Sequence, residues 1–139
     1  MLKEEIIDAM THTAKMAMMN AYVVHRGFTV GACALAEDGT MYGGCNIENA
    51  SPDYYCPAEC VAMYKAVSDG KREFDALLVL ADTEQPFVPS GHSLEVMAEF
   101  NVLDVVIANL DGDYKVVPLA ELFPSGARLR ANHQKEFVD

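Results

Sequence analysis

Two short stretches of this 139-residue chain crowd reactive side chains together. CPAEC, residues 56–60, sets Glu59 between two thiols, and PSGHS, residues 89–93, sets His92 between Ser90 and Ser93. Pro57 suits the first turn of a helix, where its absent N–H is not missed. Glu59 then falls in the same turn, where the helix dipole favours a carboxylate. Such a group can shuttle a proton as general acid or base, or serve only the electrostatics of the helix start. Cys56 and Cys60 are four apart and can share one side of a helix; with His92 they would form a rearranged metal site. Buried free cysteine is the ordinary alternative. His12, His25 and His133 have no sequence neighbours that raise them above surface or pocket-wall residues.

The elements that must hold these stretches follow from periodicity. Residues 3–22 place Ile6, Ile7, Met10, Ala14, Ala17 and Ala21 at three-and-four spacing and predict an amphipathic helix. From Gly27 the period changes: Phe28, Val30, Ala32 and Ala34 alternate with smaller or polar residues, and EDGT at 37–40 signals a hairpin between two strands. The helix opened by Pro57 should stop at Gly70. DALLVLADT (75–83) is nearly all apolar and predicts a strand buried on both faces. SGHSLEVMAEFN predicts a helix capped by Ser90, VLDVVIANL a fourth buried strand, and YKVVPL a fifth whose Pro118 tolerates an edge. A last helix follows. The sum is one α/β domain over residues 1–139, a five-stranded mixed sheet layered with helices. Only residues 124–139 lose the apolar period and read as a surface tail or an inter-subunit arm.

Bulk properties exclude several classes. At 51% hydrophobic the chain can bury a core. Ten Lys and Arg against 21 Asp and Glu give a net charge of -11, which repels the phosphates of nucleic acid. MLKEEIIDAM lacks the basic start and apolar run of an export signal, and no stretch is long enough to span a membrane, so a cytoplasmic protein is expected. Its four cysteines are then expected as free thiols. Met16, Met18 and Met19 predict a pliable core or a subunit interface.

In order and spacing, FTVGACALAEDG (28–39), GCNIENAS (44–51), AECVAMYKAVSDG (58–70) and PSGHSLEVMAEF (89–100), with the weaker LAELFPSG (119–126), resemble the cytidine deaminase family, including its blasticidin-S deaminase branch. The resemblance implies a three-layer fold with helices on both faces of the sheet. It implies that Phe28 flanks a pyrimidine and that Asn46 and Glu48 hold ribose hydroxyls. Those residue types suit such roles, since an aromatic face stacks on a base, a carboxylate accepts from paired hydroxyls, and an amide both donates and accepts. Taken alone, Asn46 and Glu48 would read as a solvated turn residue and a helix-start charge. The resemblance also implies assembly as a homotetramer.

Zinc deaminases hold their metal by a His or Cys two residues before the proton-shuttling Glu and by the cysteines of P-C-x-x-C. Against that pattern Glu59 is retained, whereas Pro57, Ser90 and Ser93 stand at the three ligand positions. Proline offers no donor, and serine hydroxyls stay protonated near neutral pH. The expectation is a pocket of Phe28, Asn46, Glu48 and Glu59 that binds a nucleoside or analogue without a cofactor and without zinc-dependent deamination. Two alternatives remain: an active hydrolase, either metal-free through Glu59 or with a rearranged metal site, and a non-catalytic scaffold or interaction subunit.

Overall fold

The computed structural model describes residues 2–124. The expected tail therefore lies, beyond Pro124, outside the described residues. The elements run α1 (Glu4–Met18), β1 (Val30–Ala36), β2 (Met41–Cys45), a 3-10 turn (Pro52–Tyr54), α2 (Ala58–Ser68), β3 (Phe74–Ala81), α3 (Gly91–Glu99), β4 (Val102–Asn109), β5 (Tyr114–Pro118) and α4 (Leu119–Leu122). The sheet order is β2-β1-β3-β4-β5. β3 and β4 are parallel and the other neighbours antiparallel. Pro118 ends the β5 edge, where a missing ladder donor costs little.

Side chains alternate across the sheet, and the two faces bury different helices. Cys33, Leu35, Leu78, Leu80 and Val106 meet Ile7, Met10 and Ala14 of α1. Ala32, Ala34, Leu77, Val79, Val105 and Ile107 meet Ala62, Met63 and Ala66 of α2, Leu94 and Met97 of α3, and Leu119 of α4. The result is the three-layer arrangement with helices on both faces. β1 is buried along its whole length, because its outward residues are as small as Gly31 and Cys33 and admit α1. No helix among the described residues is long and apolar enough to cross a membrane.

Two departures from the sequence expectations bear on the site. Helix α1 ends at Met18 rather than Ala21 or Tyr22. The chain leaves it to make a long-range pairing: Tyr22 N–H donates to Asn46 C=O at 3.0 Å, and Glu48 N–H donates to Tyr22 C=O at 2.8 Å. Helix α2 begins at Ala58, with Pro57 as its N-cap residue instead of in its first turn. Its start lies hard against β2. A Cβ added to Gly44 would stand 2.4 Å from Ala58 O and 2.5 Å from Ala62 N, so only glycine permits this approach. That contact fixes the turn carrying Glu59 relative to the strand that leads into Asn46.

Candidate functional site

Beyond the ends of β1 and β2 the chain makes two irregular passes, 19–29 and 46–57. Ile47 ties them together through bridges to both Tyr22 and Cys56. Between the passes lies a pocket of about 390 Å³. Phe28, Asn46 and Glu48 line it, together with His25, Arg26, Tyr55 and the 49–52 turn. Three of the four residues expected to meet in a pocket are thus brought to one cavity, and Glu59 does not line it.

Asn46 is 2% exposed and its amide is committed to the protein. Oδ1 accepts from Val30 N–H at 2.9 Å, while Nδ2 donates to Phe28 C=O at 2.8 Å and to the Tyr55 hydroxyl at 3.2 Å. Both amide hydrogens are therefore used, and a ligand can reach only the remaining lone pair of Oδ1. The same bonds hold the start of β1 and the backbone of Phe28 in place. Phe28 itself is half exposed, with its ring 5.9 Å from that of Phe87 at an interplanar angle of 38°. One ring face therefore has a partner for an edge-tilted contact, the geometry aromatic pairs favour.

Glu48 is buried, and its Oε1 accepts from His25 N–H at 2.8 Å and Arg26 N–H at 3.2 Å. Among the described residues no donor reaches Oε2. Glu48 thus fixes one wall of the pocket with one oxygen, and its other oxygen can still accept. Tyr55 adds a donor that the sequence motifs do not single out. Its oxygen accepts from Asn46, which leaves the phenolic hydrogen to give. Burial raises its pKa most; the Asn46 bond opposes that, and the charges of Glu59 and Glu48 add to it.

Glu59 is 3% exposed on the first turn of α2. Burial raises its pKa, against the pull of its own backbone N–H, the Ser93 hydroxyl and the His92 charge. The carboxyl is thus biased toward its protonated form, and it stands near enough to Tyr55 and Cys56 to raise both by its charge. Ser93 is fully buried on α3 and accepts a weak hydrogen bond from Cys60 Sγ at 3.9 Å. The Cys60 thiol, pushed up to about 12 chiefly by burial, keeps its proton. Ser90 has the extended backbone of a helix cap, and the expected side-chain cap bond is not made; its carbonyl instead accepts the Leu94 N–H at 3.0 Å. Among the described residues no group of three or more His, Cys, Asp or Glu is arranged to hold a metal ion, and Cys56, Cys60 and His92 do not form one. All four cysteines are free.

The sequence motifs do not lead to His25, Arg26 or Tyr55 as lining residues, or to Phe87 as the partner of Phe28. Tyr55, next to CPAEC, is the one with a signal, an aromatic beside a polar motif. The others arrive through long-range pairing of loops that carry no period.

Residues 4–109 match the family model described as the cytidine and deoxycytidylate deaminase zinc-binding region. The chain is 46% identical over 120 residues to a cytidine deaminase of Sporosarcina psychrophila, covering 85% of this chain and 88% of that protein. It is 42% identical over 113 residues to a cytidine deaminase of Halalkalibacterium halodurans, covering 80% and 86%. The crystal structure of a Burkholderia pseudomallei cytidine deaminase superposes with a TM-score of 0.82 at 34% identity, over 89% of this chain and 98% of that one. The α1 layer, the five-stranded sheet and the α2–α3 layer are therefore a shared architecture, and the chain belongs to the cytidine and deoxycytidylate deaminase family.

Proposed function

We propose that this protein binds a nucleoside or a related heterocycle in the pocket of Phe28, Asn46 and Glu48, and that it does not carry out zinc-dependent deamination. What supports the second half is the chemistry of Pro57, Ser90 and Ser93, of which Ser93 hydrogen-bonds Glu59. Pro57 lies at the start of α2, Ser90 at the start of α3 and Ser93 within α3, and we read all three from their motifs as replacing the soft or borderline ligands of the family pattern. None of the three can act as a thiolate or an imidazole. The neighbouring thiol, Cys60, is held protonated and already donates to Ser93. Zinc needs deprotonated ligands and does not fit these residues. A carboxyl acting alone as general base contributes about 10²–10⁴-fold, so Glu59 alone would serve only a reaction easier than deaminating an aminopyrimidine.

The first half rests on complementary chemistry. Phe28 offers a ring face to a base, Glu48 Oε2 accepts from a sugar hydroxyl, and Tyr55 donates from the adjoining wall. Isothermal titration with cytidine and uridine tests this, with saturable binding expected for at least one. Glu48→Ala should weaken that binding more than Glu48→Gln, because the one amide oxygen of Gln still accepts from His25 and Arg26 and its NH2 can donate to the hydroxyl oxygen, whereas Ala keeps neither contact; the loss for Ala is about 1–3 kcal/mol. A flat trace for both nucleosides would overturn the pocket assignment. Assembly into a homotetramer belongs to the same proposal. Met16, Met19, Tyr22 and Val24 stand exposed at the end of α1 and just beyond it, apolar area suited to burial between copies.

A further inference from the structure

We propose that Arg26 adapts the pocket to a nucleoside-type ligand bearing an anionic group on its sugar side, a phosphate ester or a carboxylate. The inference rests on the nucleoside reading of the pocket and narrows it. Among the described residues, Arg26 is the single Lys or Arg lining the cavity. Its backbone is not adrift: the Arg26 N–H, with that of His25, is bound by the buried Glu48 carboxylate, so the residue is held on the wall beside the oxygen that reads the sugar. Its guanidinium makes no hydrogen bond or ion pair among the described residues.

Of the six other Lys and Arg among the described residues, three make polar contacts, and Arg26 differs from Lys3, Lys15 and Lys115 by its place on the cavity wall. Lys65 donates to Gly43 C=O at 2.6 Å, Lys71 pairs with Asp38 at 2.7 Å, and Arg72 donates to the carbonyls of Val67 and Lys71, each at 2.8 Å. In a chain of net charge -11, cations are scarce, and one at a cavity wall with no partner among the described residues marks where negative charge is tolerated. A guanidinium presents a planar fork that matches two oxygens of a phosphate or a carboxylate. Glu48 and the Arg26 guanidinium make no ion pair with each other among the described residues. His25 lines the same wall and adds a second polar side chain to it.

The test titrates the full chain with cytidine and uridine, with their 5′-monophosphates, with their 5′-carboxylates and with inorganic phosphate, at low and at physiological salt. The charged ligands should bind about tenfold more tightly than their neutral parents, as one charge-assisted contact allows, and the advantage should shrink as salt rises. Preference for the monophosphates alone would assign a phosphate ester, and equal preference would assign any compact anion. In Arg26→Gln the ratio of charged to neutral affinity should fall to about one, whereas in Arg72→Gln, whose side chain lies away from the pocket, it should persist. Neutral nucleosides binding as tightly as their charged forms would overturn this inference and leave the nucleoside pocket standing. Survival of the ratio in Arg26→Gln would also overturn it. Absence of binding across the whole series would remove both, and inorganic phosphate binding alone would reduce the site to an anion site without a nucleoside.

Discussion

Asn46→Ala should cost this protein more stability than any other single truncation in the pocket. The amide serves three partners, and each is left differently by its removal. Val30 N–H is buried at the start of β1, and an abandoned buried donor costs about 1–3 kcal/mol. Phe28 C=O is part-buried and can recover some solvation, so about 1 kcal/mol is expected there. The Tyr55 hydroxyl can turn to solvent in the pocket and should lose less. The sum is about 3–4 kcal/mol, a large share of the roughly 5–15 kcal/mol that holds a domain of this kind folded. Urea unfolding at one fixed protein concentration would read it as a midpoint lowered by about 1–3 M, with the slope unchanged. Asn49→Ala is the control: Asn49 lines the same pocket, but among the described residues its Oδ1 accepts only from the exposed Ser51 N–H, so its loss should stay below about 1 kcal/mol. A cost under about 1 kcal/mol for Asn46→Ala would mean that the amide is free for a ligand and that its structural role is mistaken.

Three further outcomes follow from the same geometry. Gly44→Ala should destabilise the protein by about 3 kcal/mol or more, since its Cβ would overlap the backbone of Ala58 and Ala62 and must push α2 off the sheet; thermal unfolding checks it, and an unchanged midpoint would contradict the packing. Glu59 has a raised folded-state pKa, so the native state holds its proton more tightly than the unfolded chain and stability falls as pH climbs from the ordinary value of 4.5 through the raised one. Glu59→Gln should therefore gain stability relative to the parent at pH 8 and lose that advantage at pH 4, in paired denaturation curves; an advantage independent of pH would refute the assignment. Combining Pro57→Cys, Ser90→Cys and Ser93→Cys should create zinc uptake that no single change provides, because an activated-water site needs three protein ligands. A folded triple variant that takes up no zinc would show that these three positions do not converge.

The sheet is legible in the sequence because its strands are short apolar runs bounded by turn residues: EDGT between β1 and β2 and DGD before β5 set the order, and DALLVLADT marks a doubly buried strand. Helix α2 is legible from Pro57 and from Gly70, whose φ of +96° is the left-handed conformation that favours glycine at a helix stop. The end of α1 is not legible. Asn20, Ala21 and Tyr22 continue a helical pattern, but Tyr22 is claimed by Asn46 and Glu48 across more than twenty residues, and local periodicity contains no trace of that pairing. The site divides in the same way. Phe28, Asn46 and Glu48 can be singled out through their motifs, yet the commitment of the Asn46 amide to Val30 and Phe28 depends on where β1 begins in space. Glu48 binds the backbone of Arg26 and His25 at the pocket, a contact between a side chain and two N–H groups that residue type alone does not reveal.

Whether a deaminase-family pocket persists here around residues that do not hold zinc is decided most directly by the zinc content of the full chain. The protein would be expressed with zinc in the medium, purified without chelators and measured by elemental mass spectrometry against protein concentration. Far less than one zinc per chain is expected, unchanged when Cys60 is replaced by Ala. One tightly held zinc per chain would contradict the reading of Pro57, Ser90 and Ser93 and return the protein to metal-dependent deamination.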